Sequence, residues 1–172
     1  SNVSKIDGSV SKKMSDASSR AYKVRPLTPH FGVECLDINL SSDTYTTEHT
    51  PSPIHTNPAF IQQLKDDLRD HRMILFRNQT NLSGQRQVDI SNTLGKIQSF
   101  FHHHPQSPHT DILRASNDPA VGCTNVGRSG WHNDGIYQTR PFQFQTMYFP
   151  QVCHIGGETE FVPLSECLQG LS

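Results

Sequence analysis

A helix that leads directly into a short apolar strand is the strongest architectural signal in the sequence. Asn57 and Pro58 have the residue types of an N-cap and of a first helical position. Apolar residues then recur on one face, which predicts an amphipathic helix over residues 58–71. Residues 73–76 are all apolar, as in a buried strand. The sequence therefore predicts a helix that packs against a sheet.

Other elements follow from the same kind of pattern. Residues 22–27 and 31–40 predict two strands with a turn between them, and residues 41–56, rich in Ser, Thr and Pro, predict a loop. Ser83 and Gly95 mark the start and end of a second helix, and another helix is expected near Pro163. Residues 112–115 and 143–152 predict strands. Because helices precede the middle of the chain and strands follow it, we predict an α+β fold with helices outside a jelly-roll or cupin-like core.

Composition narrows the class of protein. The chain has 172 residues and a net charge of −1, which gives no electrostatic argument for nucleic acid or a membrane surface as a partner. No apolar run approaches the roughly 20 residues that cross a bilayer. The four cysteines lack paired spacing and predict free thiols in a soluble, cytoplasmic protein. Residues 1–20 read as a disordered tail or expression remnant, and residues 21–172 as the domain.

His132 and Asp134 are the leading candidates for chemistry. In an extended strand, residues i and i+2 point to the same face, so this imidazole and carboxylate are predicted to reach one metal ion. Two such ligands with a distant histidine form the facial triad of non-haem Fe(II) oxygenases. A chain with 10 His and 16 acidic residues contains about one His-x-acid pair by chance. A second pair, His109 and Asp111, lies among turn-forming residues and predicts a loop histidine or a local cap.

The sequence resembles the Fe(II)/2-oxoglutarate dioxygenases of the taurine dioxygenase (TauD/TfdA) type. The resemblance runs in the family's order over about residues 22–172. It is carried by WHNDG at 131–135, GGET at 156–159 with Phe161 after it, RMILFRNQ at 72–79, LGKI at 94–97 and the segment 31–40.

The resemblance implies a site and a set of cofactors. His132 and Asp134 would be catalytic residues and two of three iron ligands, Thr159 would hydrogen-bond a carboxylate of 2-oxoglutarate, and Trp131 would pack beside the metal. The implied cofactors are Fe(II), 2-oxoglutarate and O₂, and the partner is a small-molecule substrate, with a homo-oligomer left open. The family's third ligand, a histidine, and the arginine that pairs with 2-oxoglutarate lie further along. We therefore expect the N-terminal portion of a dioxygenase domain, with an incomplete double-stranded β-helix, that is inactive alone.

Weaker candidates and alternative interpretations stay open. Asn125, Arg128 and His104 are weak candidates for substrate contacts, against loop solvation. The triple histidine that ends at His104 reads as a metal tract or as a solvated loop.

The leading candidates also have plainer explanations. His132 and Asp134 would then be a surface histidine and a turn-forming aspartate, Thr159 a residue that follows a β-turn, and Trp131 a core residue.

Three functions compete. The first is an oxidoreductase that couples 2-oxoglutarate decarboxylation to hydroxylation of a small molecule. The second is a truncated or degenerate β-helix module that binds without catalysis. The third is a cupin-like metal protein with different chemistry.

Overall fold

The computed structural model describes residues 20–42, 45–47, 50–99, 103–124, 126 and 130–170. Residues 1–19, predicted to be a tail, lie outside these ranges. Five strands, three helices and a 3-10 turn are present in the described ranges: β1 (Val24–Pro26), β2 (Val33–Cys35), β3 (Tyr45–Thr47), β4 (Thr50–Ser52), the turn (Ile54–Thr56), α1 (Pro58–His71), β5 (Ile74–Phe76), α2 (Gly84–Leu94) and α3 (Leu164–Gln169).

Three of the strands form one small mixed sheet in the order β1-β2-β5. β1 and β2 are antiparallel, with Val24 opposite Cys35. β2 and β5 are parallel, with Val33 opposite Ile74, and α1 lies in the connection between them. β3 and β4 form a separate antiparallel hairpin. The predicted strands on either side of Pro29 and the predicted strand at 73–76 are confirmed, although each is shorter than the pattern suggested.

The helix α1 begins and ends where the sequence predicts. The side chain of Asn57 accepts hydrogen bonds from the backbone N–H groups of Ala59 (2.9 Å) and Phe60 (3.1 Å), and Pro58 occupies the first turn. At the other end, Arg72 adopts the left-handed conformation (φ 68°), and its N–H donates to the carbonyl of Leu68. That geometry satisfies a carbonyl at the end of the helix.

The apolar face of α1 packs against the sheet and forms the core. The ring of Tyr22 lies 5.6 Å from that of Phe60 and 5.7 Å from that of Phe76. The buried cluster comprises Tyr22, Cys35, Ile38, Leu40, Ile54, Phe60, Leu64 and Ile90. Burial raises the pKa of the Cys35 thiol to about 12, so this group stays protonated and unreactive at neutral pH. All four cysteines are free thiols, as predicted.

Two polar residues just after β5, Arg77 and Gln79, form hydrogen bonds with β2 and with the segment that follows β2. Arg77 pairs with the buried carboxylate of Glu34 on β2 at 2.9 Å, and this bond lowers the pKa of Glu34, with a second contribution from Arg25. The Gln79 side chain accepts from the N–H of Leu40 (2.7 Å) and donates to the carbonyl of Ile38 (2.8 Å). The RNQ part of the family-like motif therefore has a structural role at the exit of β2.

The predicted helix α2 is also confirmed, and a loop that comes later in the chain packs against its first residue. The Ser83 hydroxyl accepts from the N–H of Arg86 at 3.1 Å, and Gly95 ends the helix. Val88 and Ile90 bury its inner face. A Cβ on Gly84 would stand 2.7 Å from the carbonyl oxygen of Pro108, so the loop beyond residue 103 rests directly on the start of α2.

Several predictions for the remaining segments are wrong. Residues 41–56 contain the β3–β4 hairpin and the 3-10 turn as well as loop. Residues 112–115 contribute a single bridge, between Ala115 and Cys123, and residues 143–152 form no strand. A strand needs a partner for its backbone groups, and none lies beside 143–152 among the described residues. The expected dominance of strands after the middle is therefore absent there, whereas the helix near Pro163 is present as α3.

The described residues from 131 onward expose large apolar side chains. Trp131 is 69 % exposed, Tyr137 84 % and Ile155 94 %, while the residues of α3 are all exposed. The buried hydrophobic residues thus lie between residues 22 and 90. None of the described helices combines the length and the apolar composition that crossing a membrane requires.

Candidate metal centre

A short loop brings His132 and Asp134 together. The sequence predicted a strand at this point, but the chain is not a strand here, and a turn begins at Asp134. Gly135 has φ +70°, and a Cβ there would lie 2.8 Å from the ring of Phe142. The N–H of Gln138 donates to the carbonyl of Gly135 at 3.0 Å. Positive φ and the close aromatic ring explain why this turn requires glycine.

The two candidate ligands face each other although the predicted strand is missing. His132 Nε2 lies 3.3 Å from Asp134 Oδ1. Each of the two side chains is 45 % exposed. The other ring nitrogen, Nδ1, lies 2.7 Å from the carbonyl oxygen of Gly130. The second carboxylate oxygen, Oδ2, accepts a hydrogen bond of 2.6 Å from the side-chain amide of Gln145.

The hydrogen bond to Gly130 determines the tautomer of His132. A carbonyl oxygen only accepts, so the proton of the neutral ring is on Nδ1. Nε2 then presents its lone pair on the side of Asp134 Oδ1. Metal-binding histidines in proteins usually donate their other N–H in this way, which fixes the ring and its tautomer.

This donor set fits a divalent transition metal. Imidazole nitrogen and carboxylate oxygen both suit Fe(II). With metal–ligand distances of about 2.1 Å, two neighbouring ligand atoms of an octahedral ion lie about 3 Å apart. The separation of 3.3 Å between Nε2 and Oδ1 is close to that value. His132 and Asp134 are therefore residues that could hold such a metal.

The second His-x-Asp pair has a different arrangement. His109 Nδ1 accepts the backbone N–H of Asp111 at 3.0 Å, and Asp111 Oδ1 accepts from the Ser99 hydroxyl at 2.7 Å. The shortest ion-pair distance there is 3.7 Å, from Nδ1 to Oδ2. His109 thus forms a local cap, as its turn-rich context predicted. The two pairs share a spacing but not a set of converging donor atoms.

The other predicted site residues are placed as follows. Thr159 lies in an exposed stretch after Gly156 and Gly157, which have φ of +75° and +79°. Trp131 is 69 % exposed in the described part of the chain, and its predicted place beside a metal stays a prediction.

Of the weak substrate candidates, one is described. His104 uses both ring nitrogens within its own loop: Nδ1 accepts from Gln106 N–H, and Nε2 contacts the Pro119 carbonyl. Asn125 and Arg128 lie outside the described residues, as does the first histidine of the triple-histidine stretch.

Two partners of the site were not predicted from the sequence. The Gly130 carbonyl and the Gln145 amide hold the outer atoms of His132 and Asp134. Neither contact leaves a periodic or motif signal, because one is made by the backbone and the other bridges 11 positions across a turn. Within the described ranges, no third His, Cys, Asp or Glu joins the pair in a group able to hold a metal ion.

Comparisons with known proteins define the class of protein. The family described as "Taurine catabolism dioxygenase TauD, TfdA family" matches residues 23–172, and the chain belongs to that family. Among curated proteins, the chain is similar to the alpha-ketoglutarate-dependent dioxygenase oryG of Aspergillus oryzae (strain ATCC 42149 / RIB 40). The two are 24 % identical over 155 residues, which cover 80 % of this chain and 43 % of the relative. The chain thus spans less than half of that relative's length. No solved structure matches it significantly.

Proposed function

We propose that this chain supplies the His–Asp half of the metal site of an Fe(II)- and 2-oxoglutarate-dependent dioxygenase that acts on a small organic substrate. The observation that carries the proposal is the approach of His132 Nε2 to Asp134 Oδ1 at 3.3 Å. Membership of the TauD/TfdA family and the similarity to an alpha-ketoglutarate-dependent dioxygenase support it.

The chain's own contribution is binding and orientation. His132 offers Nε2 because its proton is held on Nδ1 by the Gly130 carbonyl, and Asp134 offers Oδ1. Fe(II), when bound, supplies the oxidation in which O₂ gives one oxygen atom to the substrate and one to the succinate formed by decarboxylation of 2-oxoglutarate. The protein residues position the reactants at the reacting centre.

Thr159 is proposed to bind the cosubstrate. Its hydroxyl would donate a hydrogen bond to a carboxylate of 2-oxoglutarate, and a hydrogen bond to a charged group is worth about 1.5–3 kcal/mol. Gly156 and Gly157, which precede Thr159, have positive φ, a conformation that glycine adopts without strain. Trp131, which is exposed beside His132, is proposed to form a wall of the same site.

The proposal requires residues beyond those described. A third metal ligand and a cation for the distal carboxylate of 2-oxoglutarate are both needed, because a facial triad has three protein ligands. The exposed apolar side chains between residues 131 and 168 are proposed to face the remainder of a double-stranded β-helix. Two ligands alone would bind iron weakly, so we expect this chain by itself to be inactive.

Metal-dependent binding of 2-oxoglutarate tests the proposal. With the third ligand and the cation supplied, calorimetry with Mn(II) as an oxygen-stable substitute for Fe(II) should show 2-oxoglutarate binding that requires the metal. Thr159→Val should weaken it by roughly 10- to 150-fold, the equivalent of the lost hydrogen bond. Thr139→Val is the matched control, because this exposed threonine lies in the same part of the chain. The proposal would be contradicted if 2-oxoglutarate bound equally well without the metal, or if both valine variants weakened its binding equally.

A non-catalytic module of the same family is the second candidate. The observation that favours it is that, among the described residues, no third His, Cys, Asp or Glu joins His132 and Asp134 in a group able to hold a metal ion. Succinate formation separates the two candidates. With the third ligand and the cation supplied, a dioxygenase forms succinate from 2-oxoglutarate and O₂ in a reaction that requires iron, whereas a binding module does not.

A further inference from the structure

The two oxygens of the Asp134 carboxylate have different surroundings. Oδ1 faces His132 Nε2, whereas Oδ2 accepts the Gln145 amide at 2.6 Å. A carboxylate with one oxygen held by an amide cannot rotate freely about its Cβ–Cγ bond without losing that bond. The hydrogen bond therefore selects which oxygen points into the space shared with His132.

The two candidate ligands are thus held by separate partners. The Gly130 carbonyl holds Nδ1 of His132, and Gln145 holds Oδ2 of Asp134. Each partner contacts the outer atom, while the inner atoms, Nε2 and Oδ1, face each other at 3.3 Å. Outer partners of this kind orient metal ligands, and their loss commonly costs 10- to 100-fold in metal affinity.

The residue next to Gln145 is hydrogen-bonded to helix α2. Thr146 Oγ1 and Ser91 Oγ are 2.9 Å apart, so the exposed segment at 145–146 is joined to helix α2. The inner face of α2 is buried through Val88 and Ile90. A chain of contacts therefore runs from the core through Ser91 and Thr146 to Gln145.

We propose that Gln145 is a positioning residue that orients Asp134 for metal binding through Oδ1. The proposal rests on the proposed function and deepens it, since it assigns a residue that controls the metal affinity of the His–Asp pair. Gln145 acts through the N–H donor of its side-chain amide. A side chain of equal length that lacks this donor would therefore not replace it.

Metal titration of four variants tests this role. Gln145→Met keeps the length of the side chain but removes the donor, and it should lower Mn(II) or Co(II) affinity by roughly 10- to 100-fold. Thr146→Val removes the link to Ser91 and should lower the affinity in the same direction by a smaller factor. Gln143→Met is the matched control, since Gln143 is exposed two positions away, and it should bind metal like the unchanged chain. His132→Ala removes a proposed ligand.

A stability measurement separates positioning from a structural role. The free energy of unfolding of Gln145→Met should stay within about 0.5 kcal/mol of that of the unchanged chain, as for surface substitutions generally. If metal binding depends on His132 but Gln145→Met binds as tightly as Gln143→Met, the role of Gln145 is overturned and the proposed function stands. If His132→Ala binds metal as well as the unchanged chain, the proposed function fails and this inference fails with it.

Discussion

At the scale of single residues, the site depends on the backbone of Gly135. This residue directly follows Asp134 and turns the chain with φ +70°, while the Phe142 ring occupies the place of a Cβ. Gly130 also has a positive φ (+72°), but nothing lies within 4 Å of the position of its Cβ. The two glycines therefore share a backbone conformation, but only Gly135 has a neighbouring side chain where a Cβ would lie.

Gly135→Ala should open the turn, because it combines left-handed strain with a clash against Phe142. We expect a loss of about 1–3 kcal/mol in local stability. The Gln138 amide, which donates to the Gly135 carbonyl, should then exchange its hydrogen roughly 5- to 150-fold faster. Gly130→Ala should leave Gln138 exchange nearly unchanged. Equal acceleration in the two variants would show that the ring of Phe142 does not constrain the turn.

The sequence predicted which two residues lie together at the site better than it predicted the backbone conformation and the hydrogen-bond partners around them. The spacing of His132 and Asp134 predicted a shared face, and the structure brings their donor atoms to 3.3 Å. The predicted reason, a strand, was wrong, because a turn held by Gly135 achieves the same approach. Gln145 had no signal in the sequence, since its role depends on a contact across that turn.

At the scale of elements, Arg72 connects three segments. It ends α1, its guanidinium donates to the His30 carbonyl (2.7 Å), and it binds both carboxylate oxygens of Glu166 on α3 at 2.9 Å. The same guanidinium lies over the Phe31 ring, 5.7 Å from its centre. Since no residue of α3 is buried, this bidentate pair is a main contact of that helix with the first half of the chain.

The bond with Arg72 is the largest cause that lowers the pKa of Glu166 to about 2, with the Ser165 hydroxyl as the next. Arg72→Met should return this pKa toward 4.5, its ordinary value, in an NMR titration of the side-chain carboxyl. Arg69→Met is the control, because Arg69 pairs with Asp66 and Asp70 instead, and it should leave Glu166 unchanged.

The sign of the pH dependence follows from the lowered pKa. The carboxylate is charged in folded and unfolded chains above pH 4.5, so the contribution of the pair is fully present there. It is lost as the pH falls from 4.5 to about 2. A Glu166 carboxyl that titrates near 4.5 in the unchanged chain would show that Arg72 does not hold α3.

Local signals explain which elements were predicted. α1 and α2 begin at side-chain caps, Asn57 and Ser83, that act within three residues, so the sequence contains their boundaries. The β3–β4 hairpin was missed because its Thr- and Pro-rich composition is typical of loops. The predicted strand at 143–152 is absent because a strand depends on a partner elsewhere in the chain, which its own pattern does not specify.

At the scale of the whole molecule, stability and chemistry lie in different parts of the chain. The buried cluster around Tyr22 and Phe60 lies within residues 22–90, together with the sheet. The candidate ligands, Thr159 and the exposed apolar residues lie after residue 130. Family membership assigns both parts to one dioxygenase family. The jelly-roll core expected from the resemblance stays a proposal, since the described strands form a three-stranded sheet and a hairpin.

Metal affinity of two histidine variants tests the central claim most directly. His132→Ala and His109→Ala each remove the histidine of a His-x-Asp pair, but only the first pair presents converging donor atoms. We predict that Co(II) titration of the unchanged chain shows weak binding, that His132→Ala abolishes it, and that His109→Ala leaves it intact. Equal binding by the two variants would contradict the assignment of His132 and Asp134 as the metal ligands.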